Sequence, residues 1–80
     1  MSEDVFDGAK LRTARKRAGL SQRKLAEKAV VSVSAIKYIE AGERIPHWST
    51  AQRLADAVGV SIADLTTVRF DTDVAPRGAA

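Results

Sequence analysis

The stretch from Leu20 to Glu40, LSQRKLAEKAVVSVSAIKYIE, carries two helix starts, one at Ser21 and one at Ser32. A serine hydroxyl at the N-cap accepts from a free backbone N–H two or three residues on. Leu20 and Leu25 flank the first cap at the spacing of a hydrophobic staple, and Val31 and Ile36 flank the second in the same way. Starts so close together leave room for about two turns of helix and a turn of a few residues. The stretch reads as helix, tight turn and helix, with the flanking chain as support.

At these residues the chain resembles the Cro and lambda-repressor-like helix-turn-helix family of bacterial and phage DNA-binding proteins. The likeness runs from about Phe6 to Thr67. It takes in Leu11-Arg12, Arg15, Gly19-Leu20-Ser21-Gln22, Leu25-Ala26, Val31-Ser32, Ile36, Ile39-Glu40, Gly42, Pro46, Leu54-Ala55, Val58-Gly59-Val60 and Leu65. No dipeptide among them is specific, but their order over some sixty residues is. The resemblance implies an all-α, five-helix domain with the helix-turn-helix at helices two and three. It also implies a homodimer and a pairing of Arg15 with Glu40 across helices one and three. One position departs from the pattern, since Val30 stands where the family has a glycine in the turn. Two geometries fit that residue. A left-handed backbone costs a β-branched side chain roughly 1–2 kcal/mol, whereas a relaxed turn would tilt the third helix.

Working outward, Asp7 caps a first helix running to about Ala18, with Phe6 and Leu11 as its staple and Gly19 as its stop. Leu11, Ala14 and Ala18 share one face and should be buried. Arg15 lies on that apolar side, while Arg12 and Lys16 form a like-charge pair on another. The second helix spans about 22–29, and its small Ala26 allows a close crossing. The third runs from Val33 to about Glu40, with Ile36 and Ile39 inward and Ser34, Lys37, Tyr38 and Ala41 outward. A fourth helix from about His47 or Trp48 to Val58 has Trp48, Ala51, Leu54, Ala55 and Val58 as its apolar stripe. Ser61 and Asp64 then start a short fifth. The expected organisation is a flexible tail over 1–6, the domain over 7–67, and an extension over 68–80 that is partly disordered or a dimer contact. Within it, Val68-Arg69-Phe70 reads as a short strand, a dimer contact or an unstructured tail, with Val68 and Phe70 as candidate interface side chains.

Eighty residues make one small domain with one modest core. The chain has no cysteine, so neither disulfides nor thiolate zinc sites support it. No apolar run approaches the roughly eighteen residues that cross a bilayer, and the acidic start MSEDVFDG is unlike a signal peptide. A cytoplasmic location is expected.

The net charge of +3 is unevenly spread. Residues 1–7 carry only acids, residues 10–28 hold eight Lys or Arg against the single acid Glu27, and the remainder is nearly balanced. A basic patch on and before the first helix of the pair is the electrostatic footprint of nucleic-acid binding.

Contacts with double-stranded DNA can be assigned by type. Gln22 and Arg23 at the start of the second helix, Arg44 after Gly42, and His47 and Trp48 at the start of the fourth are placed for phosphates. The third helix is the candidate for the major groove. There Val33 meets a thymine methyl, Ser34 and Tyr38 bond base edges or phosphates, and Lys37 reaches guanine O6 or N7. In the competing readings Val33 is a core residue and Tyr38 packs on the loop after the third helix.

Catalysis is not expected. His47 is the only histidine, no residues have metal-ligand spacing, and no glycine-rich phosphate loop is present, so neither metal nor cofactor is foreseen. The rival is a protein-interaction module, such as an antitoxin or adaptor domain, for which an apolar or acidic third helix would speak. The Ser, Lys and Tyr here favour DNA. The motif is silent on a further partner such as a toxin or polymerase.

Overall fold

The computed structural model describes residues 2–70. Strand β1, Ser2–Phe6, is followed by helices α1, Gly8–Arg17, α2, Gln22–Ala29, α3, Val33–Glu40, and α4, Trp48–Val58. A single 3₁₀ turn, Ile62–Leu65, leads into strand β2, Thr66–Phe70.

Helices α1, α2 and α3 each start where a side chain satisfies a free N–H group. Asp7 Oδ1 accepts from Ala9 N at 2.9 Å, Ser21 Oγ from Lys24 N at 3.0 Å and Ser32 Oγ from Ala35 N at 3.0 Å. His47 occupies the same position before α4 without a side-chain cap bond.

The apolar faces of the four helices meet in one core of Leu11, Leu25, Ala26, Ala29, Ile36, Ile39, Leu54, Ala55, Val58 and Leu65. Phe6, Leu20 and Val31 close its edges, the places their staple positions imply. Gly8 lies at the closest approach within this core. A Cβ on it would collide with the Ile39 carbonyl oxygen and stand 3.1 Å from Glu40 Cα. The first turn of α1 therefore rests directly on the backbone at the end of α3.

Two expectations are corrected. Residues 2–6, expected as a tail, form β1, which pairs antiparallel with β2 in the register Asp4↔Val68 and Phe6↔Thr66. The fold is thus mostly helical with a small two-stranded sheet rather than all-α. That pairing joins opposite ends of the chain, so no local period announces it. The expected fifth helix is only the 3₁₀ turn. Ser61 N and Oγ both donate to Asp64 Oδ2 and start it, but Thr66 is already extended at φ −118° and ψ 160°. The β-branched run Thr66-Thr67-Val68 favours the strand and ends the turn after four residues. β2 also carries the ordered chain past the expected domain boundary at 67. The extension over 71–80 lies outside the described residues.

Two side chains fasten the sheet to the helices. Thr67 Oγ1 donates to Asp7 Oδ2 at 2.7 Å, and Lys10 Nζ donates to the Thr66 carbonyl at 2.7 Å. The Thr67 hydroxyl, ahead of all else, holds the Asp7 carboxyl below its ordinary value; the Lys10 and Ala9 N–H groups and the Lys10 charge add to this, while partial burial opposes it.

Candidate nucleic-acid interface

The turn between α2 and α3 sets how α3 is presented. Val30 ends α2 with φ 58° and ψ 53°, so of the two geometries open to this turn the left-handed one is taken without glycine. Its N–H donates to the Glu27 carbonyl at 3.3 Å, and Val31 N donates to the Ala26 carbonyl at 3.0 Å. From α4, Arg53 Nε donates to the Ala29 carbonyl at 2.9 Å. That bond occupies an orphan acceptor at the end of α2 and braces the turn from outside. The Val30 side chain is 77% exposed and contributes little packing in return for the strain.

The far end of α3 is held from α1. Arg15 Nε donates to Glu40 Oε2 at 2.6 Å and Arg15 Nη2 to Glu40 Oε1 at 3.1 Å, a two-pronged pair whose side chains are 10% and 4% exposed. Arg15 Nη1 donates to the Leu20 carbonyl at 2.9 Å. Gln22 Nε2 adds a bond to Glu40 Oε1 at 3.1 Å. Helices α1, α2 and α3 are thereby tied at one point, and one of the two amide hydrogens of Gln22 is committed to the protein.

Between these helices lies a cleft of about 570 Å³ lined by Arg12, Arg15, Ser21, Gln22, Lys37, Glu40 and Ala41. Lys37 therefore stands at the rim between the outward face of α3 and this cleft. Ser34 is exposed, and Tyr38 is 52% exposed. Val33 is half-buried against the core and presents only part of its side chain outward. Arg23 is exposed beside Gln22. Beyond α3, Arg44, His47 and Trp48 are exposed too, Trp48 at 67%. Trp48, on the apolar stripe of α4 by spacing and at its N-terminus for a phosphate, is a surface side chain: it heads α4 a turn before the first buried residue, Ala51. The exposed positions thus fall into an α3 face, an α2 flank and an α3–α4 loop flank.

Three residues that matter to this arrangement are not among those expected from sequence. Arg12 lines the cleft, Arg53 braces the turn and Gly8 seats α1 on α3. Only Arg12 left a sequence signal, the like-charge pair with Lys16, which an unsupported helix would avoid.

No helix among the described residues is long and apolar enough to cross a membrane. Residues 8–68 match the family model described as a helix-turn-helix domain. The comparison with curated proteins finds no match. Among solved structures, the restriction-modification controller protein C.AhdI from Aeromonas hydrophila is 31% identical at a TM-score of 0.70, over 72% of this chain and 88% of that one. The biofilm master regulator SinR, solved in complex with DNA, is 30% identical at a TM-score of 0.70, over 72% of this chain and 94% of that one. The P22 c2 repressor, solved with a synthetic operator, is 29% identical at a TM-score of 0.69, over 72% of this chain and 88% of that one. With a family model spanning most of its length and regulators of this kind as structural neighbours, the chain belongs to the lambda-repressor-like helix-turn-helix family.

Proposed function

We propose that this protein is a sequence-specific double-stranded DNA-binding transcriptional regulator that lays α3 in the major groove and acts as a homodimer on a two-fold symmetric site. The observation that carries the reading is the outward face of α3, which is exposed, hydrogen-bonding and cationic while the opposite face is core. A helix so braced at its start, by Arg53 and the Val30 turn, and at its end, by Arg15 and Glu40, is a rigid probe. The relatives solved with DNA support the same reading.

In this arrangement Ser34 and Tyr38 bond base edges and the exposed part of Val33 meets a thymine methyl. Arg23 and Gln22 grip a phosphate on one flank, and Arg44, His47 and Trp48 do so on the other. The reading set lacks the Arg, Asn and Gln side chains suited to two-pronged recognition, so one copy discriminates modestly. Two copies on half-sites about 34–36 Å apart multiply that discrimination. Repression, by occlusion of a promoter, is the simplest outcome of such binding.

Selection of bound sequences from random duplex DNA tests the reading. The expected result is a two-fold symmetric consensus with half-sites one helical turn apart. Recovery of no enriched sequence would overturn it in favour of a protein-interaction module.

A further inference from the structure

Arg12 on α1 and Lys37 on α3 are distant in sequence, yet they line one cleft together with Ser21 and Gln22. Arg15 and Glu40 also line it, but each neutralises the other in their two-pronged pair, so they leave the cleft no net charge. Among the described residues neither Arg12 nor Lys37 is ion-paired. The cleft therefore presents two uncompensated cations over a neutral polar wall. Of the outward residues of α3, Lys37 and Ala41 line the cleft, while Ser34 and Tyr38 are not part of its lining. Lys37 thus shares its surroundings with the gripping side of the domain. An ammonium serves there as a point charge for a phosphate, for which no fork geometry is needed.

We propose that this cleft seats a single backbone phosphate of duplex DNA between Arg12 and Lys37, and that Lys37 is a phosphate contact rather than a base reader. The proposal rests on the DNA-binding reading and deepens it. Sequence readout by α3 then falls to Val33, Ser34, Tyr38 and the shape of the duplex. Mutual cancellation of Arg15 and Glu40 is what makes the seat possible, because an unpaired Glu40 carboxylate on the wall would repel the phosphate.

Counterion release gives the test its sharpness, since the salt slope counts phosphates neutralised and not cations present. Wild type, Arg12→Gln, Lys37→Gln and the double variant are titrated against a selected site and a random duplex at several salt concentrations. Each single change is expected to weaken both duplexes by the same factor and leave the specificity ratio intact. The double variant should have a salt slope shallower by about 0.9 per protomer in total, the value for one phosphate. In duplexes carrying one neutral methylphosphonate at successive positions, one position per half-site should weaken wild type but not the double variant. A slope shallower by about 1.8 would mean two separate phosphates and overturn the shared seat. Loss of affinity for the selected site alone after Lys37→Gln would restore Lys37 as a base reader. No change in any variant, with wild type still binding, would place the cleft away from the duplex. Failure of wild type to bind any duplex would instead overturn the DNA-binding reading itself.

Discussion

Arg15 and Glu40 meet across α1 and α3 in a nearly buried two-pronged pair, with Nε to Oε2 at 2.6 Å and Nη2 to Oε1 at 3.1 Å. The third guanidinium nitrogen of Arg15, Nη1, donates to the Leu20 carbonyl, and Gln22 takes a further share of Glu40. Removing either partner strands a buried charge, which costs about 3–5 kcal/mol. Arg15→Ala and Glu40→Ala should each lose stability on that scale, and the double variant should lose much less than their sum. Urea unfolding of all four proteins measures the coupling. A value near zero would mean that each side chain is satisfied without the other.

Gly8→Ala tests the contact between α1 and α3 backbones. Alanine is the better helix former, so an exposed site would gain by about 1 kcal/mol. Here the added methyl meets the Ile39 carbonyl, a backbone group that cannot swing aside. Overpacking of this kind costs about 1–3 kcal/mol, and destabilisation should win. An unchanged or higher denaturation midpoint would show that α1 can shift without penalty.

Val30→Gly should stabilise the protein by about 1 kcal/mol. Relief of the left-handed strain favours glycine, and glycine's greater freedom in the unfolded chain opposes it. Because the Val30 side chain is mostly exposed, little packing is lost. Val30→Ala keeps the strained Cβ and should show no such gain. Equal effects from both substitutions would point away from backbone strain.

Asp7 should make folding sensitive to acid. Its carboxyl is held below the ordinary value of 3.8, chiefly by the Thr67 hydroxyl. A lowered folded value means the contribution is fully present above about pH 4 and is lost as pH falls through the folded value. The stability gap between wild type and Asp7→Ala, about 1 kcal/mol for an N-cap, should therefore narrow below pH 4. Thr67→Val should weaken that dependence. A gap that stays constant from pH 6 to pH 2.5 would contradict it.

Gripping and reading residues should separate in binding experiments. Arg23→Ala and Arg44→Ala should weaken selected and random duplexes alike and make the salt slope shallower by about 0.9 each. Ser34→Ala should leave the slope and erode preference for the selected site by about 1–3 kcal/mol. If Ser34→Ala weakened both duplexes equally, Ser34 would be a phosphate contact.

The four helices were legible because their signals are local. Ser21, Ser32 and Asp7 are caps whose partners lie two or three residues away, and the apolar residues of each helix recur at its own period. The basic character of residues 10–28 and the outward Ser34, Lys37 and Tyr38 follow from the same short-range arithmetic. What needed tertiary structure was every relationship between residues distant in the chain. The pairing of β1 with β2 joins residues more than fifty positions apart, and a five-residue strand has too little pattern to announce its partner. Val30 had two geometries open to it, and the structure takes the left-handed one, with Arg53 from α4 bonded to the Ala29 carbonyl beside the turn. Gly8 became indispensable only once α1 and α3 crossed. The cleft belongs to the same class. Composition determined that cations would crowd the first half of this protein, but the helix crossing decided that Arg12 and Lys37 would face one space while Arg15 was cancelled by Glu40, because charges sum over distance and not over sequence.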